Sequence, residues 1–270
     1  MHRLRAWFLA PARLVNLVCF VLPLCIVLAY SLLSRGVYGG VELPWTFDNY
    51  RRLFDPLYAG IFLRSLWIAG LSTALCLVLG FPLAWFIARA DRKRRNLYLN
   101  LVMIPFWTSF LVRTYAWMFL LRDTGLINTA LMSVGLISEP LPLLYNNGAV
   151  MLGLVYGYLP FLVLPLYTSL EKIDSSMLEA AADLGAKPST AFWTVVVPMA
   201  KPGMRAGSIL VFISCIGTYL TPDLLGGSKT IMIGNVVQNQ FTAARDWPFG
   251  AACSLVLMGL VMLFLRSDEL

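Results

Sequence analysis

Apolar residues run through this chain in long blocks with only short polar intervals between them. That pattern is neither the alternation of a half-buried strand nor the single stripe of a surface helix. A helix needs about 20 apolar residues to cross a hydrocarbon core. Six blocks qualify: 14–33, 65–88, 98–121, 148–170, roughly 204–222 and 247–265. The fifth is the weakest, because Gly203, Gly207, Gly217 and Pro222 punctuate it. Pro82, Pro105, Pro160 and Pro165 lie inside other blocks. Membrane bundles tolerate such prolines, since neighbouring helices satisfy the freed carbonyls. The pattern predicts an all-α, polytopic membrane protein, with 1–270 forming one transmembrane domain of six helices.

The interval 171–203 has a grammar of its own. Ser176-x-x-Glu179 reads as a capping box, with the serine hydroxyl taking an orphan amide and the glutamate reaching back. Ala180, Ala181, Ala182 and Leu184 favour a tight helix with a smooth apolar flank. Gly185 suits the left-handed residue that ends it, and Pro188 the first turn of the next helix. The interval therefore predicts a compact helical elbow between two spans.

Composition demands the membrane independently: 59% of residues are hydrophobic, 13% are charged and the mean hydropathy is +0.74. The basic residues orient the spans. With the N-terminus inside, the inner face carries thirteen, among them Arg3, Arg5, Arg13 and the run from Arg89 to Arg95, against seven outside. That asymmetry obeys the positive-inside rule and puts both termini and the elbow in the cytoplasm. The net charge of +7 is thus explained by topology, not by a nucleic-acid-binding face. The first block exceeds an ordinary signal-peptide core and lacks a small-x-small cleavage site, so it reads as an uncleaved span.

Several chemistries drop out. Cys19, Cys25, Cys76, Cys215 and Cys253 all fall within spans, make no C-x-x-C pair and read as small buried hydrophobes. His2 is the only histidine, and neither a metal cluster nor a Ser-His-Asp set can be assembled. Gly226-Gly-Ser-Lys-Thr230 resembles a phosphate loop, but Ser228 stands where glycine belongs, and the segment maps outside. The terminal Ser-Asp-Glu-Leu270 faces the cytoplasm in this topology and is no retention tag. Outside, 34–64 carries Trp45, Phe47, Tyr50, Phe54 and Tyr58, which suit a membrane interface. Residues 126–137 predict a short interfacial helix, and Ile233 to Phe241 an amphipathic one.

Glu179-Ala-Ala, three residues, Gly185, nine residues, Val195, one residue, Val197-Pro198 resembles the cytoplasmic loop of permease subunits of ABC importers. Valines stand where that family more often has isoleucine and leucine. The resemblance implies a type I importer permease-like bundle whose coupling elbow sits in a cleft of the ATP-hydrolysing subunit. Its coupling residues here are Glu179, Ala180, Ala181, Asp183, Gly185 and Pro198. A second likeness spans about Asn49 to Met258. Ile104-Pro-Phe-Trp-Thr-Ser-Phe-Leu-Val-Arg-Thr-Tyr-Ala-Trp117, Thr221-Pro-Asp-Leu-Leu-Gly-Gly227, Ile233-Gly-Asn and Asp246-Trp-Pro-Phe-Gly250 look like permeases of spermidine/putrescine importers.

A polyamine passage needs carboxylates for ammonium groups and aromatic faces for cation–π contact. Asp223 beside Tyr219, and Tyr115 with Trp117, are the candidates for that path. Arg113 lies inside a span, where an arginine is costly and points to function. An unpaired cation repels a polyamine, so the expectation is a gating or structural role, with the side chain snorkelling outward or paired with an acid.

The resemblance implies an ABC ATPase dimer, a second and different permease, an extracytoplasmic solute-binding protein, and a bacterial cytoplasmic membrane as the setting. It implies no cofactor in this chain, with ATP and magnesium held by the partner ATPase, and no enzymatic activity of its own. The alternatives are the same architecture importing another small organic solute, or a secondary transporter. The latter calls for intramembrane carboxylates and internal repeats, and the spans hold almost none of the former. A membrane-embedded enzyme calls for a catalytic cluster at membrane depth, and no such cluster can be named.

Overall fold

The computed structural model describes residues 14–15 and 17–267. His2, Arg3, Arg5, Arg13 and the last three residues lie outside the described residues, as does the expected placement of the N-terminus. A π turn, Leu17–Val21, leads into α1 (Leu22–Ser31); β1 (Leu33–Arg35) and β2 (Val41–Trp45) form a hairpin before α2 (Asp48–Arg52) and α3 (Pro56–Arg89). Then come α4 (Arg92–Trp107), α5 (Phe110–Leu121), α6 (Leu126–Ser133), α7 (Asn147–Leu170), α8 (Ser175–Asp183) and α9 (Pro188–Ala191). A second π turn, Phe192–Val196, joins α9 to α10 (Val197–Gly217); α11 (Ile233–Phe241) and α12 (Trp247–Ser267) follow.

Among the described residues, three helices are long and apolar enough to cross a membrane: Pro56–Arg89, Asn147–Leu170 and Pro188–Gly217. The expected spans 14–33 and 247–265 correspond to shorter apolar helices, Leu17–Ser31 and Trp247–Leu263. Two expectations need correction. The span 98–121 is not one helix: Arg92–Trp107 and Phe110–Ser133 meet at 86°. Thr108 and Ser109 are extended there, with ψ of 152° and 134°, so the chain turns between them. The span 204–222 is displaced: the helix starts at Pro188 and stops at Gly217. Its start escapes detection because Pro198 should interrupt it, having no N–H and a ring that crowds the carbonyl four residues back. The wider π turn at Phe192–Val196 takes up that mismatch, and the helix continues. The short helices expected at 126–137 and 233–241 are α6 and α11.

The described residues form two compact units, one ending at Phe62 and resuming at Ile233, the other Leu63–Met232. In the first, the Asn49 amide is buried and donates to Ser31 O and Leu33 O, 3.0 and 2.8 Å. The Ser31 and Tyr50 hydroxyls share a hydrogen bond. Gly39, at φ +91°, lets the hairpin lie on Arg245, where an added Cβ would sit 2.6 Å from that residue's own Cβ. Asp246 is buried, accepts from Arg52 Nη1 at 2.8 Å and caps α12 through the Phe249 amide. The Arg52 guanidinium also lies 4.1 Å from the Phe249 ring centre. Tyr50 and Tyr58 are thus tied inward, while Trp45, Phe47 and Phe54 stay exposed.

Removing one partner of a buried pair strands the other, although Arg52 retains enough exposure to be partly rehydrated. Asp246→Ala should therefore destabilise the folded protein by roughly 1–3 kcal/mol. A lowered melting temperature of the detergent-solubilised protein would register it. An unchanged melting temperature would show that the pair contributes nothing.

The second unit is organised on α7 and α10. Gly203 and Gly207 are four residues apart on α10 and buried. A Cβ on Gly203 would come within 2.5 Å of Pro165 O and 2.9 Å of Leu166 Cα. One on Gly207 would lie 3.0 Å from both Leu162 Cα and Leu162 O. These glycines are the surface on which two helix backbones touch, as small residues spaced by four allow in membranes. They are not the breaks in a weak span that the sequence suggested. Gly153 of α7 likewise admits Leu225 and Thr221.

Cys76, Cys215 and Cys253 are buried as expected, but Cys19 and Cys25 are exposed. Cys19 lies in the π turn Leu17–Val21, and Cys25 on a helix that packs Tyr30 against Trp247 of α12 while leaving its opposite flank exposed.

Candidate functional site

The elbow forms as the glycine and proline signals require, with one correction at its start. Asp174, not Ser176, caps α8: its carboxylate accepts the Ser176 N–H at 3.1 Å, and Ser175 is already helical. The acidic side chain wins because it meets the amide end of the helix with full charge. That amide holds the Asp174 carboxyl below its ordinary range. A lowered folded pKa means the cap is complete at neutral pH and is lost only as pH falls through that value. Glu179 is thereby released from capping and makes no hydrogen bond or ion pair with any described residue.

The exit of α8 is a Schellman motif. Gly185 N–H bonds Ala182 O at 2.8 Å, Ala186 N–H bonds Ala181 O at 3.0 Å, and Gly185 has φ +81°. Lys187 then stands at the N-cap position of α9, without a side-chain cap, and Pro188 occupies its first turn. Ala181 is half-buried, while Glu179, Ala180, Asp183, Gly185 and Pro198 are exposed. Leu184 is 89% exposed and Trp193 67%, so the elbow presents apolar tips beside its two acids. The other side rests on α3. The Phe192 ring stands edge-on to Phe81 at 5.4 Å and to Trp85 at 6.5 Å. Trp85, Leu178, Ala182, Phe192 and Val196 line an apolar hollow of about 430 Å³ behind it.

The α4–α5 break is a second feature. The Pro105 carbonyl accepts from the Thr108 hydroxyl and from Arg113 Nη1, both at 2.7 Å. Arg113 therefore neither pairs with an acid nor snorkels; its guanidinium covers the carbonyl end of a half-helix, where partial negative charge gathers. Its other flanks are aromatic, with Phe106 and Phe110 ring centres at 6.0 and 5.7 Å. Phe161 packs on Phe106, and Tyr158 on Phe110. This cluster was missed in the sequence. Its signal was Thr108-Ser109, two residues that readily leave the helix, lying between a proline and an arginine eight positions apart.

The other candidates are not gathered into one group by the contacts seen. Trp117 meets Tyr156 edge-on at 5.5 Å, and Tyr115 is exposed on α5. Tyr219 and Asp223 share one turn after α10, linked by Asp223 N–H to Tyr219 O at 3.1 Å. Gly226 to Thr230 forms no phosphate cradle: the Thr230 hydroxyl bonds Asn147 Oδ1, and a Cβ on Gly226 would meet Thr230 at 2.7 Å.

Long apolar helices, one pair sharply bent, and an exposed helical elbow describe a helical membrane protein. Comparison with known proteins gives the family. Residues 80–268 match the family described as binding-protein-dependent transport system inner membrane component. The chain is 45% identical to the spermidine/putrescine transport system permease protein PotB of Escherichia coli (strain K12), over 94% of each chain. It is 38% identical to the inner membrane ABC transporter permease protein YdcU of the same organism, covering 87% of this chain and 80% of the relative. A bacterial alginate ABC transporter, crystallised with an alginate pentasaccharide-bound periplasmic protein, shares the fold. Its TM-score is 0.77 at 16% identity, over 96% of this chain and 91% of that one. The chain belongs to the family of inner membrane components of binding-protein-dependent transport systems.

Proposed function

We propose that this chain is the membrane-spanning permease subunit of an ATP-driven importer of polyamines, spermidine and putrescine above all. The substrate class rests on 45% identity over 94% of each chain to PotB, whose name carries both solutes. All six apolar helices cross the bilayer, the broken pair counting as one, with both termini cytoplasmic. The thirteen-to-seven distribution of basic residues supports that orientation. An ABC ATPase dimer, a second permease and a solute-binding protein complete the machine, and ATP with magnesium resides in the ATPase.

The observation that carries the coupling role is the elbow's charge pattern. Glu179 and Asp183 stand four residues apart on exposed positions of α8, and Asp183 is its last residue. Like charges at that spacing disfavour a helix, and an acid at its carbonyl end disfavours it again. Acids kept against local helix physics, beside exposed Leu184 and Trp193, suit a basic, partly apolar cleft on a partner. ATP binding closes the ATPase dimer, the elbow is displaced, and α10 moves with it because α9, the π turn and α10 form one helix. The elbow's contacts must differ between the two states for any shift to follow. Arg113 holds the break in the third span, and Tyr115, Trp117, Tyr219 and Asp223 line the solute's path.

The test is energised uptake of radiolabelled putrescine and spermidine by cells lacking their own importers, with the neighbouring transporter genes supplied. Saturable, ATP-dependent uptake is expected. Absence of uptake while another solute stimulates the ATPase would keep the architecture and refute the substrate.

A further inference from the structure

Arg95 is the odd member of the basic run after α3. Arg89, Arg92, Lys93 and Arg94 are exposed, whereas Arg95 is turned inward. The positive-inside rule asks for basic residues at this face but asks none of them to turn inward, and the Arg95 side chain is only 25% exposed. Helix physics opposes the arrangement as well. Arg95 lies in the first turn of α4, just after the N-cap residue Asp91, where the amide ends disfavour a cation. Its Nε is buried without a partner, so the side chain holds this place at a cost that specific acceptors must offset.

Those acceptors come from two directions. Arg95 Nη1 pairs with Glu171 Oε1, and Nη2 donates to Ala88 O at 3.1 Å. Ala88 is in the last turn of α3, and Glu171 is the C-cap of α7. One guanidinium fork thus ties the α3–α4 corner to the end of α7. From Glu171 the route to the elbow is short: Lys172, then buried Ile173, whose N–H bonds Leu170 O, then Asp174, the cap of α8. Where Glu171 is held, the start of α8 is held. At the other end of α4 lies the broken span.

We propose that Arg95 is a positioning residue for coupling. It fixes the root of the elbow to the α3–α4 corner, so that a displacement of α8 reaches α3 and α4 as well as the continuous helix through α10. The proposal rests on the ATP-driven importer reading. A planar two-pronged donor is required, because an ammonium cannot span a carboxylate and a backbone carbonyl in fixed geometry.

The experiment uses the complete transporter in proteoliposomes, reading solute taken up per ATP hydrolysed for wild type, Arg95→Gln, Glu171→Gln, Arg95→Lys and the double exchange Arg95→Glu/Glu171→Arg. Each single neutralisation should lower uptake per ATP about tenfold at unchanged assembly. Arg95→Lys should recover only part of it. The double exchange should recover only the ion pair's share, because it restores the charge contact, with each charge suited to its helix dipole, but not the donor to Ala88 O. Single variants that couple like wild type overturn the proposal, and so does a double exchange no better than the worse single. A wild type with no solute-stimulated ATPase overturns the importer reading and this proposal with it. A working wild type beside unaffected variants overturns the proposal alone.

Discussion

Gly203→Leu should abolish accumulation of the folded protein in the membrane. The α7–α10 contact is backbone on backbone, with Pro165 O and Leu166 Cα standing where a Cβ would go. No rotamer avoids that clash, so the helices must part. Overpacking of this kind costs roughly 3 kcal/mol, a large share of a marginal stability. Separation also removes the close packing that holds helices together in lipid, where no hydrophobic force replaces it. The check is the amount of monodisperse protein recovered from membranes, beside Gly217→Leu as control. A Cβ on Gly217 meets nothing within 4 Å, and that variant should accumulate normally. Equal recovery of both would mean that α7 and α10 do not pack as described.

Gly185→Val should leave the protein in the membrane and stop it working. The position has φ +81°, donates one hydrogen bond of the Schellman motif and turns Ala186 N–H back to make the other. A β-branched residue in that conformation costs about 2 kcal/mol. The strain falls on a nine-residue helix, α8, that spans no membrane and packs little. It should therefore re-aim α8 without unfolding the bundle. Uptake should fall on the order of 100-fold, as coupling energies of this size permit. Gly185→Asn, which tolerates the left-handed region, should retain most activity. Valine and asparagine variants of equal activity would show that the elbow's exit angle is immaterial.

Much of this was legible because it obeys one-dimensional rules. The apolar blocks placed the long helices Pro56–Arg89 and Asn147–Leu170, and Gly185 and Pro188 marked the elbow's exit and restart. What escaped involved competition or a third dimension. Ser176 lost the cap to Asp174 because two capping residues lay two positions apart and the stronger acceptor prevailed. Gly203 and Gly207 read as weakness in a span since a sequence does not show which backbone lies opposite. The third span broke at Thr108-Ser109 because Arg113 and Thr108 supply what the broken helix lacks, and that compensation becomes visible only when the chain folds back. The helix through Pro198 ran further than expected because a π turn absorbed the proline.

The central claim is that a solute outside the membrane and ATP inside it communicate through the elbow. The most direct measurement is the ATPase rate of the reconstituted complex, with and without polyamine-loaded binding protein, for wild type and Gly185→Val. The account predicts strong stimulation in wild type and none in the variant, with equal assembly of both. Equal stimulation of the two would contradict it.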